Sequence, residues 1–217
     1  MIVSIEWVRD NLNNLVILDA RPYVRYMMSG HIPSAINAQV SKVMDISTGA
    51  IESVETLSEV FTKWGLSNDS RILVYDEYDG QLGARLAWIL EYCGKEVYVM
   101  REFFDEWIRL SYPVSFRLEK PRGEGNLKCS PNESVRATHE YTLNSLGKSL
   151  IVDARSPEEY HGVMGEFPVS GHIPASLNMP WLQFVGQRGY KPLDPGLDKS
   201  REVIVYCDYG LRASIVY

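Results

Sequence analysis

Apolar and polar positions fall along the chain in two recurring forms. Short unbroken apolar runs, "LVILDA" (15–20), "RILVY" (71–75), "SLIVDA" (149–154) and "EVIVY" (202–206), stop at a polar residue. Runs of this length, rich in β-branched residues, predict strands buried on both faces of a parallel sheet. Between them lie segments of helical period. "SVETLSEVFTKW" (53–64) sets Val54, Leu57, Phe61 and Trp64 on one face, with Gly65 to stop the helix. "QLGARLAWILEYCG" (81–94) predicts a second helix, with Gly94 as its C-terminal cap. "KEVYVM" (95–100) then reads as a strand and "REFFDEWIRL" (101–110) as a closing helix. Repeated strand–helix alternation predicts an α/β fold, mainly parallel sheet with helices on both faces.

The pattern is duplicated. "VILDARPYVRYMMSGHIPSAIN" (16–37) matches "LIVDARSPEEYHGVMGEFPVSGHIPASLN" (150–178), and "RILVYDEYDG" (71–80) matches "EVIVYCDYG" (202–210), in the same order. The second copy carries seven extra residues between Asp-Ala-Arg and Ser-Gly-His-Ile-Pro. Between the copies, "EKPRGEGNLKCSPNES" (119–134) has linker composition. The expected organisation is a first domain over 1–118, a linker over 119–134 and a second domain over 135–217. Because both copies carry the Asp-Ala-Arg landmark, Asp19, Arg21, Asp153 and Arg155 are expected to shape turns and ion pairs at the sheet edge. His31 and His172 are expected to bond backbone in their turns. Arg85 reads as a packing or salt-bridge residue, and Cys93 as core.

Composition narrows the classes of function. The chain has 217 residues, 45% hydrophobic, with a formal net charge of −6, which does not suggest bulk nucleic-acid binding. Cys93, Cys129 and Cys207 form no CxxC pair, and an odd, sparse set predicts a reducing compartment with unpaired thiols. The four histidines have no metal-ligand spacing. No apolar run reaches membrane-spanning length, and the N-terminus does not read as a signal peptide, so a soluble, cytoplasmic protein without nucleic-acid or membrane partners is expected.

The two copies differ in chemistry at one position, Asp76 in the first and Cys207 in the second. Alone, a cysteine after an apolar strand is most often a small buried residue. At the carboxyl end of a parallel strand, however, a residue sits where ligands bind in open α/β sheets. The following "DYGLR" predicts a tight loop into a helix starting near Leu211 to Ser214. Its amides and the helix N-terminus would favour a thiolate, with Gly210 allowing the turn and Arg212 supplying a cation.

The strand ending in "VDAR", the "SGHIPAS" turn followed by "LNMPW", and the "VIVYC-xx-G-x-R" loop together resemble the rhodanese (sulfurtransferase) family. Duplication with one cysteine resembles its tandem-domain members, the first copy matching the catalytically silent half. The resemblance implies that Cys207 attacks the outer sulfur of a donor such as thiosulfate, forms a persulfide and passes the sulfur to cyanide or a thiol. It implies a substrate-binding loop of Asp208, Tyr209, Gly210, Leu211 and Arg212, and no metal or organic cofactor. A loop ending in arginine favours thiosulfate over mercaptopyruvate, whose loops look like C-G-S-G-V-T. Asp208 departs from the thiosulfate-type pattern, in which a cation often stands there. Glu159 stands where some animal relatives carry a donor-binding arginine.

The sequence leaves two other readings open. Phosphatases and arsenate reductases of this fold use a Cys-x5-Arg loop, whereas four residues separate Cys207 from Arg212 here. A non-catalytic interaction module is the other. From Asp76 to Arg109 the first copy has 34 residues, against 11 from Cys207 to Tyr217. That difference predicts a native chain that continues past Tyr217, or a partner that covers the second copy. The oligomeric state is not legible.

Overall fold

The apolar runs become the centres of two parallel sheets. The computed structural model describes residues 1–165 and 170–217, so part of the seven-residue excess of the second copy lies outside the described residues. In chain order the elements are β1 (Ile2–Val3), α1 (Ile5–Asn11), β2 (Val16–Asp19), α2 (Tyr23–Met28), β3 (Ile36–Asn37), α3 (Val54–Lys63), β4 (Ile72–Tyr75), α4 (Gln81–Tyr92), β5 (Val97–Met100) and α5 (Phe104–Arg109). They continue with α6 (His139–Asn144), β6 (Leu150–Asp153), α7 (Pro157–Tyr160), β7 (Leu177–Asn178), β8 (Val185–Gly186), β9 (Gly189–Tyr190), β10 (Val203–Tyr206) and α8 (Leu211–Val216).

The first sheet runs β1-β5-β4-β2-β3 and the second β10-β6-β7, with all these neighbours parallel. β8 and β9 form a small antiparallel pair. Side chains alternate across the first sheet as the pleat requires. Leu18, Ile72 and Val74 pack on one face with Leu57, Phe61, Leu86 and Ile89 of α3 and α4. Ile17, Leu73 and Tyr75 pack on the other with Ile5, Val8, Phe104 and Trp107 of α1 and α5. Burial on both faces is why these strands read as unbroken apolar runs. The predicted helix at 53–64 forms within those limits, started by Ser53, whose hydroxyl accepts from the Thr56 amide.

The registers of the two copies coincide. Asp19 pairs with Tyr75 across β2 and β4, and Asp153 with Tyr206 across β6 and β10. β4 has a strand on each side, whereas β10 pairs with β6 alone among the described residues. The first helix after each loop, α4 and α8, packs one against the other and joins the two halves.

The cysteine expectation needs correction. Cys93, at the end of α4, and Cys129, in the stretch between the copies, are joined in a disulfide. Cys93 is core, as expected, but neither is an unpaired thiol, and the cysteine count no longer argues for a reducing compartment. The stretch 119–134 runs outside strands and α-helices, yet Leu127 and Cys129 are buried in the first half's core. Among the described residues, no helix is long and apolar enough to cross a membrane.

Candidate functional site

Cys207 directly follows β10, at the carboxyl end of the second sheet. Its Sγ accepts from the amides of Gly210 (3.1 Å) and Ala213 (3.3 Å). Gly210 caps α8 in the left-handed region (φ 81°), which turns the loop back beneath the sulfur. The side chain is half-buried, and Cys207 is the free cysteine of the chain. Two amides aimed at one sulfur stabilise an anion there.

The first half builds the same cradle around a different atom. Gly80 caps α4 with φ 70°. The Asp76 carboxylate accepts from the amides of Glu77 (2.8 Å) and Gly83 (2.7 Å). Gly83 and Ala213 each lie three residues beyond the capping glycine, so the two donors correspond. Asp76 is buried, and Tyr190 of β9 closes over the loop, its hydroxyl donating to the Gly80 carbonyl at 2.6 Å. The first cradle is therefore filled and covered, whereas Cys207 faces a cavity.

Burial pushes the Asp76 carboxyl up to about 7, although the two amides pull the other way. Its folded value then lies above its unfolded one, so the folded state holds a proton that the unfolded state has released. The stability it contributes is full below about pH 4, falls as pH rises to about 7 at no more than about 1.4 kcal/mol per pH unit, and is flat above. Asp76→Asn is expected to flatten that decline. Urea midpoints of both proteins at pH 5 and 8 check this, and equal declines would refute it.

A tyrosine supports both loops from the strand before them. The Tyr75 hydroxyl donates to Asp19, and the Tyr206 hydroxyl to Asp153 at 2.6 Å. Each aspartate in turn binds its arginine through Nε and Nη2 (Arg21, Arg155), and each arginine donates to a glycine carbonyl, Gly30 or Gly171. This is the edge ion pair expected of the duplicated landmark. The tyrosines were missed, although "VY" stands before Asp76 and Cys207 in both copies. His31 and His172 bond backbone oxygens, of Ile32 and Arg117 and of Tyr160, as expected. His31 is fully buried.

Two expected roles change. Arg212 is not a free cation: it grips Glu159 through two hydrogen bonds, 2.7 and 2.9 Å, and also binds Asp208. The contact with Arg212 holds the Glu159 carboxyl down at about 2. Asp208 lies between Arg212 and Arg155 (3.7 Å), and burial raises its carboxyl against the pull of both. It is committed to these arginines. The second change is partial: Arg85 packs on Trp88, as one of its two expected roles has it, but it forms no ion pair among the described residues and lies against the Cys207 loop. The remaining loop residues, Tyr209 and Leu211, are half-buried, with Leu211 opening α8.

A cavity of about 480 Å³ is lined by Cys207, Gly210 and Ala213 together with Arg85, Trp88 and Arg136. It is built from both halves, because Arg85 and Trp88 belong to α4.

A family model described as the rhodanese-like domain matches residues 4–110 and again 138–217. The chain is 27% identical to the sulfur carrier protein TtuD of Thermus thermophilus, over 99% of this chain and 84% of that protein. It is 30% identical to a putative thiosulfate sulfurtransferase of Synechococcus elongatus, over 99% of this chain and 75% of the relative. Its fold superposes on SseA of Escherichia coli, a structure described with the catalytic mechanism of 3-mercaptopyruvate sulfotransferases. The TM-score is 0.83 at 22% identity, covering 99% of this chain and 91% of the other.

Proposed function

The chain belongs to the rhodanese-like domain family, and from that premise we propose that it is a thiosulfate sulfurtransferase working through a persulfide on Cys207. The observation that carries the reading is the pair of amides on Cys207 Sγ, set against the same cradle filled by a carboxylate at Asp76. The domain division 1–118, 119–134 and 135–217 belongs to the same reading, with catalysis assigned to the second domain.

The Cys207 thiolate attacks the outer sulfur of thiosulfate, a carbon-free dianion. The Cys207 S–S bond forms as the donor's S–S bond breaks, and sulfite leaves with the electron pair. The persulfide anion then gives its terminal sulfur to cyanide or a thiolate, which returns the Cys207 thiolate. The Gly210 and Ala213 amides offset the negative charge on Sγ at the start and end of this cycle without moving. The Cys-x4-Arg loop is shorter by one residue than the phosphatase loop, and this is the ground for preferring sulfur to phosphate.

The test is thiocyanate formation from thiosulfate and cyanide, with mass spectrometry of the protein before cyanide is added. Expected are turnover and a gain of one sulfur atom; neither appearing would refute the reading. 3-Mercaptopyruvate is the comparison donor, because Asp208 and Glu159 balance the Arg212 charge and weaken its hold on a dianion. Glu159→Gln and Asp208→Ala are each expected to release that charge and lower the thiosulfate KM by roughly threefold to tenfold. An unchanged KM in both would remove Arg212 from donor binding.

A further inference from the structure

With Arg212 held by two carboxylates, the cavity beside Cys207 has its cation from the other half of the chain. Arg85 projects from α4 and is 7% exposed. Its Nη2 donates to the Gly49 carbonyl at 3.0 Å, and its guanidinium stacks on Trp88 with the central carbon 4.5 Å from the ring centre. Its Nη1 reaches the Cys207 loop so closely that a Cβ on Gly210 would lie 2.6 Å from it. Its Nε has no hydrogen-bond partner and no contact with solvent among the described residues. A buried guanidinium with no carboxylate and an unused N–H is costly, and folding alone gives no reason to keep it.

The duplication sharpens the point. Arg85 lies five residues beyond the capping Gly80, and the residue five beyond Gly210 is Ile215. Ile215 packs on Ala84 and Phe103 of the first half and on Tyr190, which closes over the Asp76 loop. The helix facing the carboxylate-filled cradle therefore carries an apolar side chain, and the helix facing the thiol carries a cation. Arg136 also borders the cavity and forms no ion pair among the described residues. The carboxylates at its rim are engaged: Glu133 accepts from Tyr92, and Glu202 from Tyr141 and Ser149.

We propose that Arg85 is a donor-binding residue supplied by the cysteine-less half, holding the oxyanion end of a sulfonate-like donor, the sulfite portion of thiosulfate, while its outer sulfur meets Cys207. The inference rests on the sulfurtransferase reading for its substrate, but the anion site stands on its own geometry. Trp88 fixes the plane of the guanidinium, and the Nη1 edge beside the Gly210 turn is the one an anion next to Cys207 would meet. The first half is then not a spent copy: it has lost the nucleophile and keeps the clamp.

The experiment uses the full chain and two readouts, thiosulfate KM and kcat, and protection of Cys207 from iodoacetamide by sulfite, corrected for the reagent that sulfite itself consumes in a protein-free control. Arg85→Met is expected to raise KM roughly thirtyfold with a smaller fall in kcat, and to raise the half-protecting sulfite concentration by a similar factor. Arg85→Lys should recover part of both, and thermal unfolding of Arg85→Met should be no lower than that of the parent. A purely structural arginine would instead lower the unfolding temperature and leave sulfite protection intact. Sulfite protection that depends on Arg85 in a protein without thiosulfate turnover would keep the anion site and remove the proposed reaction. Turnover with KM and protection unchanged in Arg85→Met, or no protection of the parent protein, would overturn the inference.

Discussion

Replacing Cys207 by serine is expected to lower thiosulfate:cyanide transfer by at least about a thousandfold and to abolish the gain of one sulfur atom. A serine hydroxyl fits the cradle, since its oxygen can accept from the Gly210 and Ala213 amides as the sulfur does. The fold should therefore be kept, with unfolding midpoints matching the parent. What is lost is the nucleophile, because a hydroxyl at neutral pH has neither the thiolate's charge nor its attraction for sulfur. Nothing in the site compensates: among the described residues no histidine is paired with Cys207 as a general base, and the corresponding carboxylate, Asp76, is sealed beneath Tyr190. Residual transfer in the variant above a hundredth of the parent rate, or a persulfide elsewhere on the chain, would refute the assignment of Cys207.

Most of the scaffold was legible in the sequence for a physical reason. Strands covered on both faces must be apolar throughout, so β2, β4, β6 and β10 appear as unbroken runs. α3 and α4 end where Gly65 and Gly94 follow, both in the left-handed conformation. The loop of Cys207 was legible because its chemistry is local, within six residues. Its charge balance was legible only in part: Asp208 and Glu159 stand out as acidic departures, but the grip of Glu159 on Arg212, from 53 residues away, exists only in the fold. Arg85 was read as structural for the same reason: its proximity to the Gly210 turn exists only once α4 and α8 pack together. The duplication does carry a signal. Aligning the copies on their capping glycines sets Arg85 against Ile215, a cation against an aliphatic side chain, which packing alone does not require. The Cys93–Cys129 disulfide was hidden by arithmetic, since an odd count does not forbid one pair.

The duplicated Asp-Ala-Arg landmark allows a stability test with an internal control. In the first half, Asp19 and Arg21 have side chains with no exposure at all, and Arg21 lies with its central carbon 3.9 Å from the Phe104 ring centre. Burial opposes the Arg21 charge, yet the bonds and charge of Asp19 outweigh it and raise its pKa. Asp19→Ala leaves that guanidinium with Glu77 at 3.4 Å as its nearest remaining anion and strips the Tyr75 hydroxyl of its acceptor. Breaking one side of a buried pair costs about 3–5 kcal/mol. In the second half Arg155 is 12% exposed, so water softens the loss; its second carboxylate, Asp208 at 3.7 Å, is the counterpart of Glu77 and does not separate the two halves. Asp153→Ala is expected to cost about 1–3 kcal/mol. Urea unfolding of the two variants, followed by tryptophan fluorescence, measures both. Equal losses would mean that the burial of Arg21 does not set the cost; a larger loss for Asp153→Ala would place the stability of the fold in the half that carries the cysteine.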